Sequence, residues 1–555
     1  MNKNNTRFVF RFARIFLWIL LSQHGTFAFA QYTEPMNISR SNAYKMLEVK
    51  NYHEAIRQFT ALLKADPANA NFQLALGKAY NYSHIDHKKA IEILEPLCED
   101  LKRPQGSFFE LGVAYHKNYY FDKAIEVFEA LKKGYKAPEE IEFIDRWIAT
   151  ASRAQAMMNE PVEVILENLG EDVNSDAPDF LPFAEPDESA LYFTTKREGV
   201  VGNLYDYSGY RTADVYMAKH RSNDYGRARS VGNPNTYGNE YTAGRSENGE
   251  YLAYQINSKD HFSDLFISEK GRRSYMSPKE IDSKVVNQKS SSEISAAITN
   301  DGKKIYFSSD RDGGYGGFDM WIIRKLPIGI WSEPQNLGPM INTAGDEKYP
   351  FLRGDGSLMY FSSDGHPGMG GMDLFVSEKD SLLRDWEKPQ NMGYPVNTPH
   401  DDLSICYATH SRYAYIGTNR GDSYGDLDIY RLIFKDVRPE YTLVSGSVRA
   451  TDSSLIAESV LIEAFDLEDE SLYGAYIMSE RTGRFHAILP PGRYRLEIHD
   501  LYGYQDYLKE MTIYGKNDFI AKKQLDIVLQ KDDAEGKPEL NTRISQKKFK
   551  SIEEQ

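Results

Sequence analysis

The sequence predicts three modules in series: an all-α solenoid, a five-bladed β-propeller and a small β-sandwich. Three observations lead there. One phrase recurs between Ser291 and Tyr430, a short aromatic and aliphatic run, a glycine-bearing turn, then an Asp that opens a second apolar run. Ile305-Tyr306-Phe307-Ser308-Ser309 leads to Asp319-Met320-Trp321, and Met359-Tyr360-Phe361-Ser362-Ser363 leads to Asp373-Leu374-Phe375. Tyr413-Ala414-Tyr415-Ile416-Gly417 leads to Asp428-Ile429-Tyr430, and the three aspartates stand 54 and 55 positions apart, a blade-length period. Upstream of these copies a helical pattern repeats every 34 or 35 residues, and downstream a period-two alternation is broken by Gly/Pro turns.

At 555 residues the chain has room for three or four domains of about 150 residues each. Lys3, Arg7, Arg11 and Arg14 precede the apolar run Ile15 to Leu21, and Ala28-Phe29-Ala30 offers small residues for cleavage. Residues 1–30 therefore read as a secretory signal peptide, with the mature chain starting near Gln31. The run is too short to anchor in a bilayer, no cysteine at the cleavage site invites a lipid, and no later stretch is long and apolar. An exported, soluble mature chain without a transmembrane segment is expected. The formal charge is −15, and the leader's charged residues are all basic, so the mature chain is more acidic still. That balance disfavours nucleic acid and anionic membrane surfaces. Cys98 and Cys406 fall in different modules and read as buried thiols.

From 37 to 158 the helical pattern keeps small residues at Ala43, Gly77 and Gly112. Ala55-Ile56, Ala90-Ile91 and Ala124-Ile125 recur, each followed at one offset by Phe59, Leu94 and Phe128. Small positions let paired helices approach and the apolar ones fill their seam, which is the physical content of the tetratricopeptide (TPR) pattern. Pro138 to Met158 supplies a closing helix. A groove in such a stack can hold a partner, so the inner-helix residues Lys78, Asn81, Phe109 and His116 are candidate partner-binding residues. The competing reading makes the stack a spacer and these residues packed or solvated.

The propeller is expected over 161–437. Asn168-Leu169-Gly170 with Val173-Asn174 returns as Asn336-Leu337-Gly338 with Ile341-Asn342, and as Asn391-Met392-Gly393 with Val396-Asn397. The later copies follow Trp331 to Gln335 and Trp386 to Gln390, the outermost strand of a blade, whereas nothing equivalent follows Tyr430. Val162 to Leu166 are expected to supply that missing strand and close the ring. Leu191-Tyr192-Phe193 with Asp214-Val215-Tyr216, and Tyr251 to Tyr254 with Asp264-Leu265-Phe266, mark the other two blades. Residues 441–530 alternate as a small sandwich, and 531–555 are polar enough to read as a disordered tail.

The search for chemistry finds no catalytic, cofactor-binding or metal-ligating residues. Gly421-Asp422-Ser423-Tyr424-Gly425 fits the GxSxG spacing, but it aligns with Asp312 to Gly316 of another blade and precedes a strand where an elbow needs a helix. Asp310 to Asp319 lacks the ligand spacing and terminal Glu of a calcium loop; its glycines suit a long turn whose Asp side chains bond backbone amides. The histidines show no metal-ligand spacing, His53-Glu54 is not followed by a zincin's second histidine, and no Walker-type loop is present. Asp176, Glu240, Glu293, Asp346 and Asp401 begin successive blades and are the acids that would ring one mouth if the channel held a ligand. Recurrence in every blade favours a turn role.

The glycine-rich blades resemble TolB-like propellers. The third module, with Pro490-Pro491-Gly492-Arg493-Tyr494, is similar to the carboxypeptidase regulatory-like, transthyretin-type domain. The order of parts resembles Bacteroidetes periplasmic envelope proteins associated with type IX secretion and gliding, which usually end in an OmpA-like domain. That resemblance covers about 37 to 530 and implies a periplasmic, outer-membrane-associated, non-enzymatic scaffold for envelope or secretion-complex proteins. No OmpA-like domain follows the short tail, so direct peptidoglycan binding does not carry over. The alternative is a propeller that binds or processes a glycan or peptide in its central channel.

Overall fold

The computed structural model describes residues 37–531 apart from 207, 222–223, 258–262, 272–273, 282–284, 354–355, 380–384, 409–412, 435–441, 457–459, 480–481 and 515–521. The expected signal peptide, and the expected tail beyond its first residue, lie outside the described residues. Two compact units divide the chain between Ile433 and Phe434.

The first unit begins with seven helices among the described residues: α1 (Arg40–Glu48), α2 (Tyr52–Ala65), α3 (Ala70–Tyr82), α4 (Lys88–Glu99), α5 (Ser107–Lys117), α6 (Phe121–Lys132) and α7 (Pro138–Asn159). Local sequence sets their starts. Ser39, Asn51 and Asn69 each accept a backbone N–H from the first turn that follows, and Pro138 opens α7 where its missing N–H costs nothing. Each helix packs on the next, and α3 also reaches α5. A Cβ at Gly77 would meet Leu94 at 2.6 Å, and one at Gly112 would meet Phe128 at 2.5 Å, so only glycine admits those crossings. Phe59, Leu94 and Phe128 are buried in the shared core, each worth about 1.5–3 kcal/mol of transfer from water.

Five antiparallel sheets follow, one per blade. Blade 1 holds Asp179–Ala184, Ala190–Thr195 and Asp214–Arg221, with Asp224–Tyr225 and Arg229–Ser230 pairing outside; blade 2 holds Glu240–Arg245, Tyr251–Asn257, Ser263–Glu269 and Lys279–Glu280. Blade 3 holds Glu293–Ile298, Lys304–Ser309, Asp319–Arg324 and Gln335–Asn336; blade 4 holds Glu347–Arg353, Leu358–Ser363, Asp373–Glu378 and Gln390–Asn391. The outer strands are shorter than expected: Trp331 and Trp386 make only single bridges, to Lys325 and Lys379, before a two-residue pairing. Blade 5 runs Val164–Asn168, Asp428–Phe434, Tyr413–Thr418, Ile405–Tyr407 from outside to inside.

The ring is therefore closed by a strand from just after the helices, and it begins two residues later than Val162. The Val162 N–H is already taken by the Tyr394 carbonyl at 2.7 Å, so pairing starts beyond it. Arg431 holds Glu167 at 2.6 Å and Asn168 donates to Asp428 at 2.8 Å. An asparagine clamps the third strand of every blade by bonding both backbone groups of one residue. Asn342 takes the Met320 N–H at 2.7 Å and donates to its carbonyl at 3.0 Å, while Asn174, Asn235, Asn287 and Asn397 hold Ile429, Val215, Leu265 and Leu374. Backbone bonds from Asp179 to Leu427, Glu240 to Ala213, Glu347 to Phe318 and Asp402 to Met372 stitch one blade to the next.

The second unit is a sandwich of two four-stranded sheets around one core. One sheet orders Leu472–Ile477, Leu461–Asp466, Gly492–Ile498 and Tyr507–Ile513. The other centres on Thr442–Ala450, with Arg484–Leu489 antiparallel to it and Lys522–Gln524 and Ile527–Leu529 parallel. Val444, Val448, Ile462, Ala464, Phe485, Tyr494 and Leu496 meet between the sheets, as the period-two alternation requires.

Candidate functional site

Four blades open their inner strand on an acid, Asp179, Glu240, Glu293 and Glu347, and in the fifth Asp402 stands three residues before the strand Ile405–Tyr407; all five are buried. Asp176, Asp346 and Asp401, the expected members in three blades, lie in the preceding turns instead. There Asp346 accepts the Phe318 N–H and pairs with Lys348, and Asp401 accepts the Met372 N–H. What selects the strand acid is a Ser or Thr four positions earlier, whose hydroxyl and N–H it accepts. Ser175, Thr236, Thr343 and Thr398 serve Asp179, Glu240, Glu347 and Asp402 in this way. Arg197, Arg311 and Arg420 add charge-assisted bonds to Asp179, Glu293 and Asp402.

A second ring of acids opens the third strands. Asp319 accepts the N–H groups of Tyr315 and Gly316, Asp373 those of Met369 and Gly370, and Asp428 that of Tyr424. Burial pushes these carboxyls up: Glu347 to about 7, Asp214 and Asp428 to about 6, and Asp373 well above the ordinary value. Each of these acids is engaged by turn amides, hydroxyls or a guanidinium, the pattern of a turn and blade device. Ser423 accepts the Arg420 N–H and bonds the Tyr430 hydroxyl, inside the same kind of turn.

The part of the first unit that departs from blade symmetry is the seam between helices and propeller. In the loop joining second to third strand, blades 3 and 5 carry the exposed residues Tyr315 and Tyr424; blade 4 carries Met369, fully buried. Met369 packs with Phe121, Ala151 and Ala154, bordered by Tyr119, Ile125, Met157, Met158 and Tyr394. His116 Nε2–H donates to the Met369 carbonyl at 2.8 Å, and Arg153 donates to the Gly368 carbonyl at 3.2 Å. Further along, the rings of His87 and His400 stack with centroids 4.3 Å apart. His84 lies 3.7 Å from Asp426, which accepts the Tyr210 hydroxyl, and His53 donates to that same hydroxyl oxygen. Asn419 donates to the His84 carbonyl at 3.3 Å. Five of the chain's twelve histidines meet at this seam.

Of the four expected partner-binding residues, Lys78 and Asn81 meet at the Glu110 carboxylate, and Phe109 and His116 both pack against Trp147. Asn81 is buried and donates to the carbonyl and carboxylate of Glu110 at 2.8 and 3.0 Å. Lys78, half exposed, lies 3.8 Å from the same carboxylate. Phe109 packs among Phe128, Phe143 and Trp147. His116 is buried against this chain's own propeller, so that part of the stack already has an occupant. The repeat alignment held the missing signal: Met369 replaces a tyrosine, and His400 stands where blade 3 to blade 4 has Gly345.

Among the described residues no helix is long and apolar enough to cross a membrane, and no cluster of His, Cys, Asp or Glu is placed to hold a metal ion. No family model and no curated protein matches the chain. Among solved structures it is similar to a TolB-like protein from Agrobacterium tumefaciens, at 13% identity over 59% of this chain and 97% of that one, TM-score 0.29. A GH43_1 enzyme from Xanthomonas citri matches at 13% identity over 55% and 95%, TM-score 0.32. The propeller domain of the Trilobed protease from Pyrococcus furiosus matches at 9% identity over 64% and 90%, TM-score 0.23. The chain's own five sheets, joined blade to blade, make it a helical region followed by a β-propeller-like domain.

Proposed function

We propose that this chain is a non-enzymatic periplasmic scaffold, outer-membrane-associated, that holds envelope or secretion-machinery proteins of the type IX kind. In this reading the helices are tetratricopeptide-like, the propeller is TolB-like and the sandwich is a transthyretin-like third contact. The observation that supports it most is the seam: helices and blades are joined by buried apolar and hydrogen-bonded contacts, as a rigid two-faced support requires. Partners then meet surfaces outside that seam, such as the Lys78 side of the stack and the exposed Tyr237, Tyr315 and Tyr424 at the blade loops. Affinity on preformed faces of this kind concentrates in a few aromatic and arginine anchors. The test is to express the full chain with a C-terminal tag in a type IX-secreting bacterium, solubilise membranes gently and identify what co-purifies. Envelope or secretion components are expected in stable ratio. Recovery of a soluble glycan or peptide without them would sink the scaffold and favour a ligand in the propeller channel.

A further inference from the structure

The seam histidines come from both sides of the contact, His53 and His116 from helices and His84, His87 and His400 from two loops. His87 lies between α3 and α4, and His400 lies in the crossover from blade 4 to blade 5. Their rings stack at 4.3 Å and 29°, with the Tyr119 ring edge-on to His400 at 6.3 Å. A proton on either ring places a charge against the partner ring out of water, and a second proton sets two like charges face to face. The groups facing them do not offset this. From the helices come Lys117 at the end of α5, His84, and Glu110, which is engaged by Asn81 and Lys78. From the propeller come Arg420, paired with Asp402, and Asp401, committed to the Met372 N–H. His116 adds a second point. Its Nε2–H is used on Met369, and its Nδ1 is buried without a partner between Phe121 and Trp147, with Lys117 beside it. Arg153 and Asp373, the charged groups nearest on α7 and blade 4, are bonded to Gly368 and to the Met369 and Gly370 amides. Opposed to release is the set His53, Tyr210, His84 and Asp426, which gains an ion pair in acid. That pair, His84 with Asp426, has side chains 24% and 9% exposed, and it is one contact opposing release against the three imidazoles of His87, His400 and His116 that favour it.

We propose that the His87–His400 stack is an acid-sensitive latch, and that its protonation frees the helical stack from the propeller and uncovers the socket filled by Met369. Burial lowers His87 to about 3 and His116 to about 4, and holds His400 well below the ordinary histidine value. A base whose value is depressed in the closed state contributes fully above the ordinary histidine value near 6.5. That contribution is lost as pH falls below it. Between pH 7.5 and 5.0 the open-to-closed ratio should rise roughly 30-fold for each imidazole released. The test is hydrogen–deuterium exchange of the intact chain at both pH values, corrected for intrinsic rates and at fixed ionic strength. Peptides covering α5, α7, 366–372 and 398–402 should lose at least ten-fold protection at pH 5.0 while the second strands of the blades stay protected. Full-chain His87→Phe and His400→Gln variants keep a neutral ring or amide at the stack, and each should reduce that response by the share of one imidazole. Unchanged seam protection in the wild-type chain would overturn the latch. So would loosening of seam and blades together, or variants that respond as the wild type does.

Discussion

Asn342 shows how much one side chain can decide. It satisfies the Met320 N–H and carbonyl at once and is itself held by Asn336 at 2.7 Å. Asn342→Ala leaves two buried backbone groups without partners and should cost about 2–4 kcal/mol, read as a lowered urea midpoint at unchanged m-value. Glu347 makes the pH prediction. Burial raises its carboxyl to about 7, so its contribution is complete below the unfolded value near 4.5 and is lost as pH rises through 7. Propeller stability should therefore fall by up to about 1.4 kcal/mol per pH unit across that window, and Glu347→Gln should flatten the slope in melts at pH 5, 6, 7 and 8. This slope is opposite in sign to that of the seam histidines, so the two are separable in one titration.

At the scale of elements, the closing strand rests on contacts of unequal worth. Glu167 meets Arg431 from a position 43% exposed, so Glu167→Ala should cost no more than about 1 kcal/mol. Asn168 accepts from Gly170 and Asn174 and donates to Asp428, so Asn168→Ala should cost about 2–3 kcal/mol and raise proteolytic nicking of 160–175. A smaller loss for Asn168→Ala than for Glu167→Ala would contradict this ranking. The elements themselves were readable because their periods encode packing. Gly77 against Leu94 and Gly112 against Phe128 repeat a helix crossing, and Asp319, Asp373 and Asp428 repeat an amide-binding turn. Misplacements arose where two candidates shared one turn. Asp346 beside Glu347 and Asp401 beside Asp402 are alike in chemistry, and only the Ser or Thr four positions before separates them.

At the scale of the whole first unit, the seam was out of reach of periodicity, because its partners are far apart in the chain. His116 and Met369 are 253 positions apart, and Asn419 and His84 are 335 apart. Only breaks in the repeat mark them. Met369→Asp puts an unpaired carboxylate into the pocket of Phe121, Ala151 and Ala154 and should release the helices at neutral pH, with faster cleavage between Asn159 and Val164. Tyr315→Asp, the same change in the exposed blade 3 turn, should leave that cleavage rate unchanged.

The ring's clasp joins residues 264 positions apart, Glu167 and Arg431. During synthesis the earliest strand of the propeller thus emerges long before the strand it pairs with, and its ladder edge stays open until the last blade leaves the ribosome. Bringing such distant ends together carries a chain-entropy cost of about 5 kcal/mol, which the first four blades must lower by folding in between. Completion of the toroid is then the slow, late event of its biogenesis, and the nascent edge is the surface a holding chaperone would need to shield.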